Sequence, residues 1–204
     1  LGMLQDGFDV CAPVTNRKGQ SVFRHVAEPD EIDLGYCSTM LAPRNYLYPQ
    51  IQDLFTIDRN TQTTETLIDG PLKPRLIFAI HPCDMHAIAV LDAAFMAKYT
   101  DVYYRKLRDE TVTVVLNCNR ACDQGFCSSM GTGPFIQLEE GFDLVMTDLA
   151  NGEFLFESGS ERGADLIGKA AAVEKAGESD LARKETLESQ ALATFTKTLD
   201  TEGL

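Results

Sequence analysis

Positive charge is in short supply in this chain. Its 18 Lys and Arg stand against 31 Asp and Glu, a net charge of −13. Nucleic acid binding needs clustered Lys and Arg, so the balance argues against a phosphate-binding surface, and no basic stripe with interleaved aromatics relieves it. The one compact basic run, Arg105, Lys106 and Arg108, reads as a solvated face. Long apolar runs are missing as well. The best, Leu76 to Ile80, is strand-sized, so no membrane span is expected. Leu1 to Ala12 lacks the charged n-region and apolar h-region of a signal peptide, and a cytoplasmic location is the expectation. The chain opens on Leu rather than Met, which suggests a piece of a longer protein. No Ser-His-Asp order, zincin helix or carboxylate pair stands out. Gly131-Thr-Gly133-Pro134 is not a P-loop, because no Lys-Ser/Thr follows.

What is present fits one domain with an appended segment: 204 residues with 44% apolar content. Residues 1–70 read as an irregular, partly β segment packed on the main domain. Residues 71–175 read as an α/β core, and 176–204 as an acidic helical tail or linker. Phe8–Val14 and Ser21–Val26 are predicted to pair around the turn residues Asn16-Arg17-Lys18-Gly19. Tyr36 to Pro49 reads as a packed loop. Arg75–Ile80 and Thr111–Leu116 are apolar strands, and Asp84–Tyr99 is a helix with Ile88, Leu91 and Phe95 on one face. Strand, helix, strand in that order is a βαβ unit with parallel pairing. Phe142–Leu149 and Glu153–Phe156 read as further strands, 161–175 as a helix, and Ser179–Leu199 as a longer, exposed one. The expected fold is α/β: a small, mostly parallel sheet, irregular N-terminal strands and C-terminal helices.

The cysteines carry the chemistry. Cys118, Cys122 and Cys127 crowd into ten residues, while Cys11, Cys37 and Cys83 are scattered. A reduced compartment with a metal site explains this better than a disulfide framework. Cys83 follows the first strand of the βαβ unit and Cys118 follows the second. Parallel strands end on the same sheet edge, where open α/β folds bind ligands. The topology therefore predicts that Cys83 meets the Cys118–Cys127 loop, giving the four thiolates that a [4Fe–4S] cluster needs. A helix start at Cys83 supplies free N–H groups to a thiolate. Gly125, Gly131 and Gly133 let the loop wrap closely, and Ser128, Ser129 and Thr132 are candidate hydroxyl donors. The Cx3Cx4C spacing matches neither the bacterial ferredoxin run nor a zinc knuckle, so zinc stays as the alternative metal. Three reduced cysteines in a buried loop are the plain alternative.

The run His81-Pro-Cys83-Asp-Met-His86, with Asn117-Cys118 through Cys122 to Phe126-Cys127-Ser-Ser-Met-Gly-Thr-Gly-Pro134, resembles the N-terminal domain of a family of iron–sulfur subunits. That family includes the beta subunit of cytosolic sulfhydrogenases and the iron–sulfur subunit of anaerobic sulfite reductase. The likeness extends to Leu41–Tyr46 with Tyr48-Pro-Gln50, to Asp101–Tyr104 and to Gly141–Leu149. The resemblance implies an electron-transfer role in an anaerobic redox enzyme. Its partners would be a catalytic subunit and a flavin- and NAD(P)H-linked subunit, with a ferredoxin-like two-cluster module following this domain. These 204 residues carry no counterpart of that module.

Other residues are weighed around the four thiols. Asp84 reads as a helix N-cap beside Cys83 that could supply an oxygen ligand. Of His81 and His86, His86 is expected on the helix face looking back at the site. Asp84, His86, Ser128 and Thr132 are thus the candidate hydrogen-bonding neighbours of the ligands. Cys11 and Cys37 read as core packing, with Cys37 a fifth thiol able to approach the loop, and His25 stands alone.

Overall fold

The structure is a computed structural model that describes residues 7–66, 70–170 and 172–203. Residues 1–6 and 67–69 of the N-terminal segment, Ala171 inside the helix predicted over 161–175, and Leu204 lie outside the described residues.

Four parallel strands form the middle of a six-stranded sheet, with an antiparallel strand on each edge. β1 (Asp9–Thr15) runs parallel to β5 (Arg75–Ile80), which is parallel to β6 (Thr111–Leu116), itself parallel to β7 (Leu144–Asp148). β2 (Ser21–His25) flanks β1, and β8 (Phe154–Ser158) flanks β7, both antiparallel. The α/β class and the mostly parallel sheet are as expected, and the N-terminal strands extend this same sheet. A separate exposed hairpin, β3 (Phe55–Asp58) and β4 (Thr63–Thr66), was not anticipated. The central strands are buried on both faces, which explains their unbroken Val, Ile and Leu content.

Helices cover both faces. α1 (Pro82–Met96) and α2 (Val102–Asp109) pack with Tyr36, Leu47 and Phe142 on Ile77, Ile80, Val115 and Val145. α3 (Glu161–Lys169) lays Leu166 and Ile167 on the other face, over Leu76, Val114 and Met146. Burying each such aliphatic side chain is worth roughly 1.5–3 kcal/mol. α1 begins two residues before the predicted start, because Pro82 at the first helical position needs no amide partner. α2 was unread in the sequence, its apolar stripe being short. Its signal is Asp101, whose carboxylate caps the Tyr103 and Tyr104 amides. α4 (Glu178–Ala193) stops before the predicted Leu199.

One irregularity aims the chain at the functional edge. Between Phe78 and Ile80 the β5–β6 register skips Ala79, which sits at φ +61°. A strand's faces alternate, so without this bulge Ile80 would share the α3 face with Leu76 and Phe78. Instead it joins Ile77 on the α1 face. The buried Tyr36 hydroxyl donates to the Ala79 carbonyl oxygen at 2.7 Å. β5 thus leaves the sheet turned by one residue, directly into Pro82 and Cys83.

Candidate metal centre

The C-terminal ends of β5 and β6 deliver the cysteines. Cys83 is the second residue of α1, and the backbone N–H groups of Cys83 and Asp84 hydrogen-bond its sulfur, as a helix start allows. Cys118 lies two residues past β6. Its N–H donates to Pro134 O at 3.0 Å, closing the base of the 118–134 loop. Asn117 bolts that base in place: its Oδ1 accepts from the Ile136 N–H at 3.0 Å, and its Nδ2 donates to Thr147 Oγ1 at 2.9 Å. Inside the loop, a turn from Cys122 O to Gly125 N (2.8 Å) and bonds from the Met130 and Thr132 amides to Cys127 O fold the segment back on itself. Gly133 is needed for close approach. A Cβ there would stand 3.1 Å from Cys127 Sγ and 3.7 Å from the Pro82 side chain, so the loop's end lies against the start of α1.

The four expected thiols therefore come together, and their electrostatics record it. Burial and the Asp84 and Cys127 charges push the Cys83 thiol up to about 12, although much of its surface faces solvent. Burial, then Cys83, Cys122, Cys127 and Cys37, hold the Cys118 thiol well above its usual value. Burial and Cys37, with Cys83 and Cys127 beyond, push Cys122 to about 12. Cys127 is raised by burial, against which its own amide and that of Ser128 donate to the sulfur. Each thiolate would feel the others as like charges, so without a cation all stay protonated at neutral pH. Cation binding releases those protons. The sulfurs are nevertheless not bunched. No three of them lie within 4.8 Å of one another; among the described residues the only Cys/His/Asp/Glu set of three or more that does is Asp9, Cys11 and His25.

The neighbours differ from expectation in several places. Cys37 is a fifth thiol at the site: its carbonyl oxygen accepts from the Cys122 thiol at 2.9 Å. A cavity of about 200 Å³ is lined by Tyr36, Cys37, His81, Cys118 and Cys122. His81, not His86, enters it. His81 is buried and stacked on Tyr36, with ring centroids 3.9 Å apart and planes 1° from parallel. Burial lowers its pKa to about 4 against an opposing backbone bond at Cys37, so the ring is neutral at pH 7. His86 instead turns its Nδ1 to Pro82 O at 2.8 Å. Asp84 is the third residue of α1 rather than its cap; His81 occupies that position. Burial raises the Asp84 carboxyl, and Arg44 offsets part of that. The Thr132 hydroxyl bonds Cys127 O, and the donor that Ser128 offers the Cys127 sulfur is its amide. Cys37, His81 and Tyr36 reach the site through long-range packing, for which residue spacing holds no signal.

The tail also belongs here. The sequence reads 179–199 as an exposed arm, yet Ala191 is fully buried and the segment beyond α4 lies on the cysteine loop. The Ala121 amide donates to Thr194 Oγ1 at 2.7 Å, Lys197 bonds Gln124, and the Leu199 amide donates to Ser129 Oγ at 3.0 Å. Arg183 anchors the helix to the Leu149 and Ala150 carbonyls, and Lys184 pairs with Glu157 at 2.7 Å.

Fold and site together define an α/β domain whose parallel sheet edge gathers free thiols from two adjacent strand ends. Among known proteins, the beta subunit of sulfhydrogenase 2 from Pyrococcus furiosus is 30% identical over 185 residues, covering 89% of this chain and 52% of that protein. Over these residues the chain belongs to the sulfhydrogenase beta subunit family. The chain spans about half the length of that relative. No family model matches it, and no solved structure gives a significant match. Among the described residues no helix is long and apolar enough to cross a membrane.

Proposed function

We propose that Cys83, Cys118, Cys122 and Cys127 hold one [4Fe–4S] cluster, and that the chain is an electron-transfer domain of a cytoplasmic, multisubunit redox enzyme of the hydrogenase type. The observation that carries this reading is the convergence of four free thiols from two neighbouring strand ends. Their spacing favours iron–sulfur over zinc. A tetrahedral zinc with sulfurs at about 2.3 Å requires them roughly 3.8 Å apart. These thiols have no three within 4.8 Å. A cubane hangs each sulfur from a separate iron corner, farther apart. When bound, such a cluster supplies one-electron chemistry at a potential the protein tunes.

The chain's own residues do the tuning. The Cys83, Asp84, Cys127 and Ser128 amides donate to ligand sulfurs, which stabilises the more negative, reduced form. His81 contributes bulk without charge. Cys37, Tyr36 and the tail segment shield the site from water. The partners of this reading are a flavin- and NAD(P)H-linked subunit on one side and a catalytic subunit on the other, with ferredoxin-like clusters as the next carriers.

Anaerobic iron and acid-labile sulfide analysis tests it. About four of each per chain are expected, in a brown protein bleached by dithionite. Cys122→Ser should leave the cluster incomplete or labile. A colourless protein with stoichiometric zinc, or a Cys122→Ser variant with a full, unaltered cluster, would defeat the reading.

A further inference from the structure

A second constellation lies at the other end of the strands, where β1 begins. Cys11 and His25 are direct cross-strand partners in the β1–β2 pair, and Asp9 lies two residues before Cys11 on the same face. The register set by the Asn16–Gly19 turn thus brings three metal-ligating residue types to one point of a rigid sheet. Cys11 Sγ lies 3.5 Å from His25 Nδ1, and Asp9 Oδ1 lies 2.6 Å from that same nitrogen. All three ligand atoms are within 4.8 Å of one another.

Both contacts fall on Nδ1, which rules out a Cys–His–Asp proton relay. A relay puts the carboxylate on one ring nitrogen and the nucleophile on the other. Lone pairs converging on one point suit a cation. Tetrahedral zinc, with nitrogen and oxygen at about 2.0 Å and sulfur at about 2.3 Å, separates its ligand atoms by roughly 3.3–3.6 Å. The sulfur–nitrogen separation already meets that, and the nitrogen–oxygen pair has to open by a fraction of an ångström. The surroundings are those of an oriented site. Arg75 Nε reaches Asp9 Oδ2 at 3.5 Å, leaving Oδ1 for the site, while Arg75 Nη1 is held by Tyr46 O at 2.7 Å. The Tyr46 hydroxyl hydrogen-bonds Cys11, and its ring packs edge-on against His25 at 5.6 Å. Cys11 is fully buried, whereas the His25 side chain is 59% exposed, so an ion has a path in.

We propose that Asp9, Cys11 and His25 form a separate divalent-cation site, of zinc-like preference, with water or the Tyr46 hydroxyl as fourth ligand. Neither Cys11 nor His25 is among the four thiols, so the proposal stands or falls apart from the cluster.

The test uses the full chain carrying its iron, exposed to equimolar zinc, desalted, and assayed by elemental analysis and by competition with a chromophoric chelator. One zinc per chain is expected. His25→Ala, at an exposed position, and Cys11→Ser should each weaken it at least about tenfold, the lower bound for disturbing even an outer partner of a zinc ligand. Cys122→Ser should leave it unchanged. Cobalt in place of zinc should give a sulfur-to-metal charge-transfer band that Cys11→Ser removes and Cys122→Ser keeps. A wild-type chain that retains no zinc, or variants at residues 11 and 25 that bind it as tightly, would overturn the assignment.

Discussion

Removing a single oxygen atom from Tyr36 tests how the fold aims its site. Tyr36 is 6% exposed, and its hydroxyl is 2.7 Å from the carbonyl of fully buried Ala79. Ala79 is the extra residue of the β5 bulge and has no partner in the β6 register. Tyr36→Phe keeps the ring, and with it the stack on His81, but takes the donor away from that carbonyl. A buried acceptor stripped of its partner costs about 1–3 kcal/mol. Ala79 is also held at φ +61°, a conformation that costs an L-residue roughly 1–2 kcal/mol and depends on its surroundings to persist. Taking about 2 kcal/mol as the central value, a chain of this size should melt about 4–8 °C lower. Tyr36→Leu, which loses the stack as well, should lose about a further 1 kcal/mol. Calorimetry of both variants beside the parent protein is the assay. A Tyr36→Phe midpoint within about 1 °C of the parent would refute the claim that this bond holds the bulge.

Two glycines of α3 form a matched pair. A Cβ on Gly163 would meet Asp143 O at 1.9 Å, whereas one on Gly168 meets nothing within 4 Å. Gly163→Ala should cost at least about 2–3 kcal/mol in a urea melt by lifting the helix off the sheet, and Gly168→Ala should gain about 0.5–1 kcal/mol; equal effects would disprove the close contact. Asp143 predicts a pH dependence. Burial alone would raise its pKa, but Arg162 (3.0 and 2.9 Å), the Thr113 amide (2.9 Å) and the Ser160 hydroxyl (2.7 Å) hold it below the usual carboxylate range. A depressed folded pKa gives stability that is present above the unfolded value, about 3.9, and lost as pH falls through the folded one. Asp143→Asn should therefore be less stable by about 2 kcal/mol at pH 7, with the gap closing below about pH 4; a gap constant across that range would count against the ion pair.

How much was legible follows from the range of each force. β5 and β6 were read to the residue because fully buried strands must be apolar at every position. The meeting of Cys83 with the 118–127 loop was legible because parallel topology puts successive strand ends on one edge. The start of α1 was misplaced by two residues because Asp84 looked like a cap, while Pro82 already occupied the first helical position. The Asp9–Cys11–His25 group was missed, although the predicted hairpin contained it: counting back from the turn pairs Cys11 with His25.

Local pattern, then, determined which segments are strands and helices, which cysteines follow strand ends, and that the sheet is parallel at its centre. Those features depend on burial periodicity and connectivity, both of which are written along the chain. Only the tertiary structure decided that Cys37, Tyr36 and His81 complete the site, that the tail past Ala193 lies on the cysteine loop, and that a bulge at Ala79 turns β5 toward Cys83. These depend on packing between residues dozens of positions apart, where no periodicity links one partner to the other.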